Sequence, residues 1–304
     1  MASGKRTISG GTLLPHSLLK EALAANAMKK KGVDPVVQAD IQVIEAQWKT
    51  MVEKLRESGT LDNCMAVCDV SGSMGSLSSQ AHDDQVRPIL PAVALSIVLA
   101  QVSREPWANS FITFSARPQI VKLDPTAGLV ETATTMNRAN WDMNTDFNAV
   151  FTKLILPMAI EHKLAKEEMI KRLFVFSDME FDQSQEAGMG QWTTEHEKMA
   201  KAFEKAGYDV PEIVYWNLQG AQGAKPVKAD WEGVALMSGF SSNMLKVFMD
   251  NGEVEEEEVV EMEENGELEE GIVVLKKTKE KMSPEEMMKK ALNRPSYATL
   301  VVVD

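Results

Sequence analysis

An apolar run, Met65-Ala66-Val67-Cys68, stops at Asp69 and is followed by Ser71, Gly72, Ser73 and Gly75. An acid and two hydroxyls this close together could hold a metal ion, cradle a phosphate or present a nucleophile. A second apolar run, Leu173-Phe174-Val175-Phe176, ends in a similar way, in Ser177-Asp178. Between the two, Thr145 stands at the start of an amphipathic stretch, 146–163. If the apolar runs are neighbouring strands of a parallel sheet, all three clusters meet at its carboxyl edge, where open α/β sheets bind their ligands.

Asp69, Ser71, Ser73, Thr145 and Asp178 together offer two carboxylates and three hydroxyls. An all-oxygen set of this kind suits a hard cation, Mg2+ or Mn2+, better than zinc. Two carboxylates neutralise a divalent ion and hydroxyls add no charge, so such an ion keeps enough electrophilic character to take one more oxygen. The alternatives fit less well. A phosphate loop needs GxxxxGK[ST], and no lysine follows Gly75. A nucleophile elbow needs G-x-S-x-G, whereas the frame here is Ser71-Gly72-Ser73-Met74-Gly75. A phosphotransferase with Asp69 as nucleophile needs a second acid two residues on to donate a proton, and Ser71 stands there. The neighbouring acids Asp83, Asp84, Asp142 and Asp146 read as solvated loop residues, Asp146 also suiting the first turn of a helix.

The elements that must position these residues follow from periodicity. Ser17 to Lys31 and Asp34 to Gly59 read as two helices, the second carrying Val37, Ile41, Ile44, Trp48, Met51, Val52 and Leu55 on one face. A single apolar face implies docking on the domain that follows. From there short apolar runs alternate with amphipathic stretches. Strands are predicted at 64–69, 109–114, 118–123, 172–177, 211–217, 232–238 and 297–303. Helices are predicted at 86–103, 126–137, 146–163, 193–206, 241–250 and 284–292. Alternation of this kind predicts a doubly wound, mostly parallel α/β sheet covered on both faces. The expected organisation is a helical leader over 1–60 packed on a domain over 61–304.

The chain has 304 residues and a formal net charge of −13, but the acidity is local. Residues 252–270 hold eleven glutamates and no basic residue, and outside them 34 of the 45 acidic side chains face 32 basic ones. Like charges at that density favour a solvated, disordered insertion. The nearly neutral remainder is a poor binder of polyanions such as RNA. The two cysteines, Cys64 and Cys68, would lie about 13 Å apart on one face of a strand, too far for a disulfide, and read as reduced core residues. No apolar run reaches the roughly 18–20 residues that span a bilayer. The start MASGKRTISGG lacks the apolar centre of a secretory signal, so the expected location is the cytoplasm, with the nucleus as alternative.

The order Asp69-Val70-Ser71-Gly72-Ser73, then Thr145, then Asp178 resembles the metal-ion-dependent adhesion site of von Willebrand factor A-type domains. The resemblance covers roughly residues 60–250 and the last strand. The details DVSGSM, NTDF and FSDMEFD are similar to intracellular members, among them the A-type domain of the Ro autoantigen. LLPHSLL, QWKTMVEKL and SPEEMMKKAL resemble more closely a plant and fungal family of uncharacterised proteins in which such a domain follows a helical region. The resemblance implies a six-strand Rossmann-like sheet with its first and fourth strands adjacent. It implies an ion bound directly by Ser71, Ser73 and Thr145, with Asp69 and Asp178 close by or linked through water. Many relatives have glycine after the second aspartate, where this chain has Met179-Glu180. Glu180 and Asp182, like Asp146, could stand at the rim, narrowing access or adding a ligand.

The function expected from these readings is a non-enzymatic, Mg2+-dependent protein-binding module that recruits a partner through an acidic side chain. The alternatives are a ribonucleoprotein component with Ro-like RNA association, for which the short leader lacks a helical-repeat ring, and the phosphotransferase already described.

Overall fold

The computed structural model describes residues 13–29, 35–59, 61, 63–83, 85–114, 117–139, 149–178, 198–219, 234–249, 263–264, 267–268 and 289. Six of the apolar runs become strands: β1 (Cys64–Cys68), β2 (Ser110–Thr113), β3 (Ile120–Lys122), β4 (Arg172–Ser177), β5 (Glu212–Asn217) and β6 (Val234–Ser238). They form one sheet in the order β3-β2-β1-β4-β5-β6, parallel throughout except for β3 against β2. This is the doubly wound, Rossmann-like arrangement, with β1 and β4 side by side. Central parallel strands are buried on both faces and therefore read as continuous apolar runs, as CMAVC and RLFVFS do.

The period-two alternation of β1 sorts its side chains between two cores. Met65 and Val67 join Ile112, Leu173, Val175, Ile213 and Tyr215 on one face. Cys64, Ala66 and Cys68 join Phe174, Phe176 and Trp216 on the other. Both cysteines are buried and unlinked. Burial pushes the Cys68 thiol up to about 12, with the Ser96 hydroxyl against it as a smaller, opposing influence.

Four helices lie around that second core: α1 (Pro15–Lys29), α2 (Pro35–Glu57), α3 (Ile89–Val102) and α4 (Leu129–Arg138). In α3, ILPAVALSIVLAQV, every residue except Gln101 is buried. A helix apolar all round needs cover on every side. Its inner side packs on β1, β2 and β4, and its outer side is covered by α1, α2 and α4. From α2, Ile44, Trp48, Met51, Val52 and Leu55 enter this core, the stripe that the helical period predicts. Trp48 Nε1 donates to Gln101 Oε1 at 2.8 Å, and the Arg56 guanidinium donates to the Gln101 carbonyl. From α1, His16 meets Phe240 edge-on, ring centres 5.2 Å apart, just past β6.

On the opposite face a π-helical turn, Val150–Ile155, runs into an α-helix, Leu156–Glu161, where a plain helix over 146–163 was expected. Pro157 explains the difference: it has no N–H for the carbonyl one turn back, and the turn before it opens. The expected helix at 241–250 is a 3-10 helix, Ser242–Phe248, started by the Ser241 hydroxyl accepting from the Asn243 N–H. Its last residues are tied to the sheet by Arg172, which donates to the Phe248 carbonyl and pairs with Glu212 at 2.6 Å. Of the helix expected over 193–206, residues 198–205 are described and helical. Within the acidic segment Glu263–Glu264 pairs antiparallel with Glu267–Leu268, and its remaining residues lie outside those described. So do the expected strand 297–303 and, but for Lys289, the helix 284–292. No helix among the described residues is long and apolar enough to cross a membrane.

Helices α1 and α2 share a buried core with the sheet. Trp48→Ala is expected to destabilise the whole chain by about 3–5 kcal/mol in urea unfolding followed by fluorescence and circular dichroism, with one transition for both probes. Two transitions, of which the variant shifts only the first, would instead describe a leader that folds by itself.

Candidate metal site

The parallel pairing of β1 with β4 sets Cys68 opposite Phe176, so both strands deliver their next residues to the same edge. The Asp69 N–H still donates to the Phe176 carbonyl at 3.0 Å, carrying the ladder one residue past the strand. Asp69 is 3% exposed and Asp178 1%. Sequence spacing alone left their meeting conditional on this adjacency.

Local hydrogen bonds fold the serine loop back on Asp69. Asp69 Oδ1 accepts the Ser71 N–H at 2.8 Å, the side-chain turn that aspartate favours. Ser71 then precedes a 3-10 turn, Gly72–Met74, closed by the Met74 N–H donating to the Ser71 carbonyl at 3.1 Å. Gly75 leaves the turn at φ +94°, and a Cβ there would sit 3.1 Å from the Cβ of Arg87. Both the backbone angle and the space therefore ask for glycine. The turn brings the Ser71 and Ser73 hydroxyl oxygens to 3.1 Å from each other, Ser71 half-buried and Ser73 exposed.

Two contacts pin this loop to the end of β4. The Ser177 hydroxyl donates to Asp69 Oδ2 at 2.7 Å, and the Asp178 N–H donates to the thioether of Met74 at 3.2 Å. Met74 is fully buried beneath the loop. Burial is the main cause that raises the Asp69 carboxyl above its usual range, and the charge of Asp178 adds to it. The Ser71 and Ser177 hydrogen bonds oppose that rise. Two buried carboxylates within mutual influence cost free energy as anions unless donors or a cation offset them.

The structure thus brings Asp69, Ser71, Ser73 and Asp178 to one edge. Thr145, Asp146, Glu180 and Asp182 lie outside the described residues. Among the described residues no three His, Cys, Asp or Glu side chains form a cluster able to hold a metal, so the donors available here are hydroxyls beside a carboxylate pair. That set fits a hard, oxygen-seeking ion and does not fit a soft one. Sequence reasoning missed two participants. Ser177 ends an apolar strand, and its polar type at that position was the available signal. Met74 reads as an ordinary loop residue, and only its burial reveals it as the anchor of the turn. Gln80 is a buried polar residue of this loop, its Oε1 accepting the Arg87 N–H at 3.0 Å.

Residues 1–61 match the family described as Domain of unknown function (DUF2828), and residues 63–292 match Domain of unknown function (DUF7788). An uncharacterized protein of Acanthamoeba polyphaga mimivirus is 32% identical over 250 residues, which make up 82% of this chain and 39% of that protein. The chain therefore spans well under half the length of this relative. With the sheet and its loaded edge all inside residues 63–292, the chain belongs to the DUF7788 family.

Proposed function

We propose that this chain is a von Willebrand A-type, divalent-cation-dependent protein-binding module and not an enzyme. The observation that carries the reading is the division of labour at the β1–β4 edge. Both oxygens of Asp69 are already engaged, by the Ser71 N–H and the Ser177 hydroxyl, while the Ser71 and Ser73 hydroxyls lie side by side on the accessible side. Asp69 is thereby held as a fixed negative charge behind two neutral donors. Ser71, Ser73 and Thr145 would hold Mg2+ or Mn2+, with Asp69 and Asp178 balancing its charge. The bound ion would supply an electrophilic position for a carboxylate from a partner protein.

The same contacts support a non-enzymatic role. A nucleophilic Asp69 needs an oxygen with open access, and this carboxylate is buried with both oxygens hydrogen-bonded. Ser71, in the place of a general acid, shares its hydroxyl with Ser73. The two buried, unlinked thiols fit a reducing compartment, the cytoplasm or the nucleus.

Calorimetric titration of Mg2+ and Mn2+ tests this directly. Wild type should bind, and at 100 times Kd its Tm should rise by about 4 °C. Asp178→Ala should abolish both effects without unfolding the metal-free protein, because the contact to Met74 is made by the backbone N–H. Equal binding by both proteins would remove the site from this edge.

The raised Asp69 carboxyl adds a pH signature. A folded-state pKa above the unfolded one means that the buried charge subtracts from stability near neutral pH, and that the loss shrinks as pH falls through the folded value and is gone below the unfolded one. Asp69→Asn keeps an acceptor for the Ser71 N–H and removes the charge. The metal-free variant should match or exceed wild type in Tm at pH 7, with the difference closing on acidification. Its Mg2+ response should be absent throughout, whereas that of wild type fades as pH is lowered. A variant that keeps the Mg2+ response would show that Asp69 does not serve the ion.

A further inference from the structure

Helix α1 starts with a buried imidazole. His16, its second residue, is 5% exposed, and its Nδ1 is buried without a hydrogen-bond partner. The ring stands edge-on to Phe240, which follows Gly239 just past the end of β6. The turn that carries it is firmly seated. The Leu14 carbonyl accepts the Ser17 and Leu18 N–H groups, and Leu18 and Leu19 are fully buried. A neutral ring tolerates this place, since the tautomer with its hydrogen on Nε2 leaves Nδ1 bare. A protonated ring does not. It would bury a charge and present an Nδ1–H that has no acceptor.

The charges around the ring make protonation harder still. Helix α3, on which α1 packs, carries no titratable side chain, and neither does the stretch 239–243. Among the described residues Lys20, one turn further along α1, is the charged group whose field reaches His16, and it repels an imidazolium. The charged side chains of α2 and α4, the other helices packed on α1, add nothing to that field. Lys20 itself lies within reach of Asp83, in the loop before α3. The positive end of α1 disfavours a cation in its first turn as well. Burial first, and Lys20 second, lower the pKa of His16 from its ordinary value. We propose that His16 is an acid-sensitive latch: neutral, it lets α1 close on α3 and on the end of β6, and protonated, it releases the start of α1. Above the ordinary imidazole range, about 6.5, the latch costs nothing, and its hold weakens as pH falls from there toward the lower, buried value. It concerns the docking of the leader and is independent of the metal-binding reading.

Two measurements on the full chain test the latch. One is the titration of the His16 ring by nuclear magnetic resonance of the 13C-histidine-labelled protein, with the signal assigned by its loss in His16→Gln. The other is hydrogen exchange of residues 15–29, corrected for the intrinsic pH dependence of exchange. The His16 signal should titrate below the ordinary imidazole range. Between about pH 7.5 and 5.5 the protection of α1 should fall by roughly fivefold to tenfold, the change that uptake of one proton on opening produces. At the acid end α1 should exchange faster than β1 and β4, as a local release requires. His16→Gln should abolish the fall. Lys20→Glu keeps the imidazole and gives it a carboxylate one turn away, so it should cut the fall by about half even if His16→Gln folds poorly. A His16 ring that titrates in the ordinary range, or α1 protection that changes with pH no more in wild type than in His16→Gln, would overturn the latch. Equal protection of α1, β1 and β4 at the acid end would overturn the local release.

Discussion

The structure depends on one helix that has no polar side. Of α3 only Gln101 escapes burial, so no arrangement in which this helix lies on the surface of a sheet is stable. The sheet covers one flank, with small side chains, Cys64, Ala66 and Cys68, on the β1 face that joins this core. The leader and α4 cover the rest. Even the exception is used: the side chain and carbonyl of Gln101 accept from Trp48 and Arg56 of α2. An apolar helix in the second layer thus requires a third layer, and α1, α2 and α4 provide it.

The same constraint shapes the edge where Asp69 and Asp178 lie. Helix α3 follows the serine loop directly, so a rigid α3 fixes one end of that loop while β1 fixes the other. What remains between them is held by specific contacts: Met74 buried under Asp178, Gln80 on the Arg87 N–H, and Gly75 against Arg87. Such a frame can keep two carboxylates near each other although their charges repel and burial disfavours the ionised form of Asp69. The Ser71 and Ser177 donors offset part of that cost. The side chains described beside this pair are hydroxyls, which bring no further negative charge to the edge.

Much of this was legible in sequence because it rests on local pattern. Continuous apolar runs announced β1 and β4, and the change from acid to serine at Asp69-Val70-Ser71 announced the turn after β1. The stripe from Ile44 to Leu55 announced a docking face. The adjacency of β1 and β4, and with it the meeting of Asp69 with Asp178, came from resemblance to a known fold and not from periodicity. Other features depend on partners far along the chain and leave no periodic trace. Glu45 reads as one more acid on a solvated helix face until its carboxylate is seen to accept the Leu129 N–H at the start of α4, and Gly128 reads as a loop glycine until the space for its missing Cβ is found occupied by that carboxylate. The opened turn before Pro157 was locally encoded, by a proline inside a helical pattern, yet the pattern alone reads as an unbroken helix.

The two family matches divide the chain between residues 61 and 63, and the physical core does not divide there. Leu61 bridges Ser103 at the end of α3, and the Ser103 hydroxyl donates to the Cys64 carbonyl. Asn63, at a positive φ of 54°, accepts the Lys171 N–H at 2.8 Å in front of β4. The junction is therefore pinned to the ends of α3 and β4. Sequence families record which segments travel together, whereas cooperativity records which segments share buried surface. By the second criterion α2 is as much a part of the sheet domain as α4, since both bury their apolar faces against α3 and one caps the other. A segment 1–61 attached to some other domain would have to find an equally apolar surface, and residues 63–292 without it would leave the outer side of α3 facing water. The leader is best understood as the outer layer of this fold, carried at the front of the chain.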